Sequence, residues 1–179
     1  MSNDPFVVTG VPTSITAFVG RAWKGAVDEP IRVNSYADYE RSFGGLWRES
    51  PMSYAVRQFF ANGGSQALVV RVTVRTGENA ATAASFSLTG GAEVKAANVG
   101  SWGMNLEVTV DDNTKDRSDA KLFNLTVFDN PKTTDDSAKR GGSGARESFL
   151  DVSVDPNSPR FVTTILEQQS SLLRVDTGL

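Results

Sequence analysis

Ser143 stands in Gly141-Gly142-Ser143-Gly144-Ala145 and Ser65 in Gly63-Gly64-Ser65-Gln66-Ala67, glycine-flanked settings that faintly echo a nucleophile elbow. The base such a serine needs is missing, because the 179-residue chain has no His. It has no Cys either, so disulfides, thiolate or imidazole metal sites, cysteine nucleophiles and every Ser-His-Asp or Cys-His arrangement are excluded. A Ser-Lys pair is the remaining route. Lys24, Lys132 and Lys139 all lie in polar stretches, where a depressed lysine pKa is not expected. Both serines therefore read as members of flexible glycine-rich loops.

Gly20-Arg21-Ala22-Trp23-Lys24-Gly25 has the first two glycines of a phosphate loop and follows a strand-like run. The Lys and Ser or Thr that would hold phosphate and magnesium are replaced by Ala26 and Val27, so a strand-ending turn is the better reading. Asp111-Asp112-Asn113-Thr114-Lys115-Asp116 opens like a calcium loop. Its third ligand position is Lys115, its glycine position Asp116 and its bidentate glutamate position Leu122, which leaves a solvated hairpin turn. Trp23, Trp47 and Trp102 stand in or near glycine-containing turns. Each either closes the end of a small core or offers a platform for sugar or a partner. No carboxylate pair sits at a strand end with an aromatic platform, as glycoside hydrolysis asks. The sequence thus offers no catalytic, cofactor-binding or metal-binding residue.

The elements that would carry these residues follow from periodicity. Ile15–Gly20 is a short β-branched run that reads as a buried strand, and Ile31–Asn34 alternates as a second. Ser35 with Asp38 three residues on is an N-cap signature. The helix it opens puts Tyr36, Tyr39 and Phe43 near one face and stops at Gly44-Gly45. Ser50-Pro51 starts the clearest helix, with Met52, Ala55, Val56, Phe59 and Phe60 as its apolar stripe and Asn62-Gly63-Gly64 as its end. Leu68–Val74 is the most β-prone run, with Val70, Val72 and Val74 on one face.

At Thr76 the texture changes. Residues 104–110, 122–128 and 150–154 alternate with period two, through Met104/Leu106/Val108/Val110, Phe123/Leu125/Val127 and Leu150/Val152/Val154. Asp129–Arg146 between the last two reads as a long mobile loop. Ser158-Pro159 starts a late helix with Phe161, Val162, Ile165 and Leu166 inward, and a last strand lies around Leu172–Val175. The fold class is α+β: a strand-strand-helix-helix-strand α/β layer in residues 1–76, then a mainly antiparallel β domain with one late helix in residues 77–179.

Residues 1–76 carry 8 basic and 6 acidic side chains and residues 77–179 carry 10 and 15, for a net charge of −3 overall. That balance gives no field for phosphate backbones, so nucleic acid is not an expected partner. No apolar run approaches a membrane span, and the opening Met1-Ser2-Asn3-Asp4-Pro5 has no secretory signal pattern.

One ordered series is more specific than any single motif. Gly10-Val11-Pro12-Thr13-Ser14-Ile15-Thr16-Ala17-Phe18-Val19-Gly20, Lys24-Gly25, Glu29-Pro30, Ser35-Tyr36-Ala37-Asp38-Tyr39-Glu40, Phe43-Gly44-Gly45, Tyr54–Gly64 and Val69-Val70-Arg71-Val72 resemble the N-terminal half of contractile tail sheath proteins. Ala96–Val108, Phe123–Val127 and Glu147-Ser148-Phe149 leading to Val152–Pro156 resemble, more loosely, their middle protrusion domain. The usual Pro-Gly-Val-Tyr opening and C-terminal domain of such proteins are absent from these residues.

The resemblance implies a non-enzymatic structural subunit, or part of one, of a sheath that surrounds an inner tube and contracts to drive it through a cell envelope. Its implied partners are other sheath subunits, the inner tube protein and the baseplate. Its implied place is a virion tail assembled in the bacterial host cytoplasm, or the sheath of a phage-derived bacteriocin or injection system. The parent reading frame is expected to continue past Leu179, with residues 1–179 alone monomeric or weakly associating. The rival from another class is a glycan- or surface-binding β module centred on Trp102.

Overall fold

The computed structural model describes residues 15–87, 93–130 and 143–175. The chain divides into two units, one of Met1–Ala22 and Ala26–Val72, the other of Trp23–Gly25 and Thr73–Leu179. In the first, strands β1 (Thr16–Gly20) and β2 (Pro30–Val33), helices α1 (Tyr36–Phe43) and α2 (Pro51–Ala61) and strand β3 (Ala67–Arg71) follow in order. The sheet runs β1-β3-β2, with β3 parallel to β1 and antiparallel to β2. The parallel pair needs a long crossover, and the two helices supply it.

α1 forms as its caps dictate. Ser35 Oγ accepts from the Asp38 amide at 3.1 Å, Asp38 returns by accepting from the Asn34 amide at 3.1 Å, and Gly44 closes the helix at φ 86°. Tyr39 stacks on Phe43 with centroids 5.4 Å apart, and both are buried with Val33, Met52, Val56, Ala67 and Val69. Three expectations are corrected here. Ser53, not Ala55, is buried on α2, because its hydroxyl is satisfied by the Ser50 carbonyl at 2.7 Å and by the Trp47 amide at 3.1 Å. β1 is an edge strand with Ala17 and Val19 exposed rather than a buried one. β3 ends at Arg71, so Val72 and Val74 lie beyond it; the buried face carries Ala67, Val69 and Arg71.

The second unit holds β4 (Ser85–Ser87), β5 (Glu93–Ala96), a 3-10 turn (Ser101–Asn105), β6 (Leu106–Asp111), β7 (Leu122–Asp129), β8 (Arg146–Ser153), α3 (Val162–Gln169) and β9 (Leu173–Val175). Its two antiparallel sheets run β4-β5-β9 and β6-β7-β8. Trp102, Leu125, Val127, Phe149, Val152, Ile165, Leu166 and Leu173 are among its core residues. The α+β class holds in both units, with one late helix in the second.

The irregular places are where periodicity misled. Met104 belongs to the 3-10 turn and is 71% exposed, because Gly100 at φ 125° turns the chain and sends Trp102 inward instead. Gly103 has room for no side chain there: a Cβ would lie 2.8 Å from that of Ala96. Of the expected triplet only Val152 is buried; Leu150 on β8 and Val154, just beyond its end, face outward. Asp151 adopts φ 52°, a left-handed conformation that Asp tolerates, and the turn-over puts Phe149 and Val152 on the core side.

α3 starts at Val162, four residues after Ser158. The Ser153 amide bonds the Arg160 carbonyl at 2.8 Å, which keeps residues 160 and 161 extended beside β8 and leaves Phe161 half-buried. Asp129 and Arg146, the expected ends of a mobile loop, are paired strand residues; positions 131–142, with Lys132 and Lys139, lie outside the described residues.

Candidate functional surfaces

Asp129 ends β7 with its side chain pointing into the second unit, only 4% exposed. Ser143 donates to Asp129 Oδ2 from its amide at 2.8 Å and from Oγ at 2.6 Å. Lys24 Nζ lies 3.9 Å from the same oxygen and 5.9 Å from the Trp102 ring centroid, while Oδ1 has no hydrogen-bond partner among the described residues. The structure therefore brings Ser143 and Lys24 together on one carboxylate, with Trp102 beside Lys24, although in sequence Lys24 lies in a polar stretch. The grouping is a poor catalyst. Ser143 spends its proton on a carboxylate, too weak a base to make an alkoxide.

Trp102 is only 1% exposed, and its Nε1 donates to the Asn98 carbonyl at 3.1 Å, so it closes the core and cannot be the platform of a glycan site. Trp23 packs against the same core. Trp47 lies under the Arg21 guanidinium, 4.8 Å from ring centroid to Cζ. Gly25, second glycine of the phosphate-loop echo, turns the chain at φ 108°.

The Asp111–Asp116 turn is bound internally. Asp111 Oδ1 accepts from the Asn113 amide at 2.9 Å and from Asn124 Nδ2 at 2.7 Å, and the Lys115 amide donates to Asp151 Oδ1 at 2.8 Å. Among the described residues no group of three or more Asp or Glu side chains converges as metal ligands do. The Ser118 hydroxyl and amide hold Asp116 below the usual carboxylate value, and the bond from Lys121 does the same for Asp155 while raising Lys121. These carboxylates are charged, solvated and already partnered.

Asn124, which the sequence analysis passed over, organises this end of the second unit. It sits at the register shift in β7, buried, and its Oδ1 accepts from the Asp151 amide at 2.9 Å. Arg160 secures the other side, donating to the Asp151 carbonyl at 3.1 Å and the Leu150 carbonyl at 2.6 Å. In the first unit, burial pulls the Arg71 guanidinium down to about 10, and its Nε donates to the Ala22 carbonyl at 3.0 Å. An open groove of about 490 Å³ beside Ala80–Ala84, Gly100 and Met104 presents mostly methyl groups, without the convergent polar set that orients a small ligand. Among the described residues no helix is long and apolar enough to cross a membrane.

Among the described residues of the first unit, one sheet face carries no helix. Ala17 and Val19 of β1 lie there beside Leu68 and Val70 of β3. Parallel strands with apolar residues on both faces are found where both faces are covered. The described residues are thus rich in contact surface and poor in chemistry.

No family model matches the sequence, and no curated protein matches it. Among solved structures, a sheath tail protein from Listeria innocua matches 95% of this chain at 15% identity with a TM-score of 0.55. A sheath tail protein from Desulfitobacterium hafniense matches 79% of it at 14% identity with a TM-score of 0.45. The chain spans about a third of the Listeria protein's length, 31%. The fold of this chain is therefore similar to one portion of a sheath tail protein, in agreement with the resemblance carried by its residues.

Proposed function

We propose that the chain is a structural subunit of a contractile tail sheath, or a portion of one, which surrounds an inner tube and shortens to drive it through a target envelope. The observation that carries this reading is the likeness of fold to a sheath tail protein over 95% of the chain. A residue inventory without His or Cys supports it from the other side, because exchanging one set of subunit contacts for another of lower free energy needs no catalytic group. Its partners on this reading are further sheath subunits, the inner tube and the baseplate, in a phage or a phage-derived injection machine.

Residues 77–179, with 10 basic and 15 acidic side chains, form the outward-facing part, where net negative charge discourages side-by-side sticking of tails. Residues 1–179 by themselves are expected to be monomeric or to associate weakly, since they span 31% of the Listeria protein. Immunogold labelling of tail particles with antibodies against residues 1–179 tests the assignment. Gold distributed along the tail shaft is the expected result; gold confined to the tip, the head or no particle would overturn it.

A further inference from the structure

Ten asparagines occur in the chain, and only Asn62 is followed by glycine. An asparagine side chain is attacked by the backbone nitrogen of the next residue, and glycine hinders that attack least. Asn62 is exposed at the C-cap of α2, where the turn leaves the helix through Gly63 at φ 91°. Nothing lies within 4 Å of the place a Gly63 Cβ would occupy, so the approach is open.

The cap also restrains the reaction. Asn62 Nδ2 donates to the Gln58 carbonyl at 2.7 Å, the Gly63 amide donates to the Phe60 carbonyl at 3.2 Å, and ψ of Asn62 is 20°. Both reacting groups are thus held in hydrogen bonds of the helix end, and ring closure requires the cap to open and ψ to rotate.

We propose that Asn62 is a self-modification site of the chain, a succinimide-forming asparagine whose rate is set by opening of the α2 C-cap. The Gly63 nitrogen, having lost its proton to solvent base, bonds to Asn62 Cγ. The Cγ–Nδ2 bond breaks and ammonia leaves. Water then opens the imide at either carbonyl. Cleavage at the side-chain carbonyl yields aspartate, and cleavage at the main-chain carbonyl yields isoaspartate with one more methylene in the backbone.

Either product puts a carboxylate at the negative end of α2 and removes the donor to the Gln58 carbonyl, so the first unit is weakened with age. Isoaspartate additionally shifts Gly64, which has no clearance: a Cβ there would come 2.4 Å from the Phe59 ring.

The test is peptide mapping of residues 1–179 aged at mildly alkaline pH, in native buffer and in denaturing urea, with enzymatic isoaspartate labelling. Asn62 is expected to convert ahead of the other nine asparagines in native buffer, and several-fold faster in urea. Asn62→Gln, which keeps an amide for the cap but disfavours imide closure, should lose the signal from that peptide and keep the native melting temperature. Conversion led by another asparagine in native buffer, or equal Asn62 rates with and without urea, would overturn the proposal.

Discussion

The first unit stacks Tyr39 on Phe43 and sets Phe18 edge-on to Phe59, while the second unit buries Asp129 and Asn124, half-buries Lys24 and binds each of them. The contrast follows from backbone regularity. Two helices on a three-stranded sheet satisfy most of their own backbone groups, so Phe18, Phe43 and Phe59 have only to fill space, and Ser53 and Arg71 meet the few backbone groups left over. A left-handed Asp151, a shifted β7 register and a hairpin closed by Ser143 each expose backbone or side-chain groups that other polar groups must meet. Damage to the first unit should therefore scale with lost volume, and damage to the second with lost partners.

The largest effects should come from opposite kinds of substitution. Phe43→Ala is expected to destabilise the first unit by about 3 to 5 kcal/mol through the cavity it leaves. Lys24→Met should cost the second unit about 3 to 5 kcal/mol with little change in volume, because it leaves the Asp129 carboxylate buried beside a neutral chain. Hydrogen exchange resolved by peptide reads both: protection should fall in α1 and β2 for the first variant, and in β7 and the Ser101–Asn105 turn for the second. If Lys24→Met leaves β7 protection unchanged, the ion pair is incidental.

Asn124→Ala should rank next, at about 1 to 3 kcal/mol, since it orphans the Asp151 amide within the bulged hairpin. Denaturant titration of the variant checks the size, and a loss below that of an exposed control such as Asn157→Ala would show that the bulge holds without it.

Local rules explain which parts could be read in advance. Ser35, Asp38 and Gly44 specify α1 within ten residues of chain, and their hydrogen bonds are those the sequence implies. β4 and β5 escaped because strands of three and four residues, Ser-Phe-Ser and Glu-Val-Lys-Ala, hold too little alternation to stand out. Leu150 and Val154 were misassigned because nothing beside them reports the backbone turn-over at Asp151, which depends on Asn124 and Arg160 from elsewhere in the chain. Lys24 reads as solvated because it stands in a glycine-bounded turn, and nothing nearby in sequence reports its partner, which is more than a hundred residues away.

The smallest effect should appear at the surface pair Lys121–Asp155, 2.7 Å apart. Asp155 is held below its ordinary 3.8, so its contribution is present above that value and lost as pH falls through the folded-state value. Lys121 is held above 10.5, so its contribution is present below that and lost as pH rises through the folded-state value. Lys121→Met should make the acid limb of a stability-pH curve slightly shallower, and less so in high salt. An unchanged acid limb would assign the lowering to the Asn157 amide instead.

The proposed role is that of a structural subunit in a contractile sheath, and a cryo-electron-microscopy map of tail particles, searched for this chain, tests it most directly. Helically repeated copies of both units around an inner tube, with residues 77–179 on the outer surface, are the expected result. A map in which these residues occupy the tail tip, line the tube lumen or are absent from the shaft would contradict it.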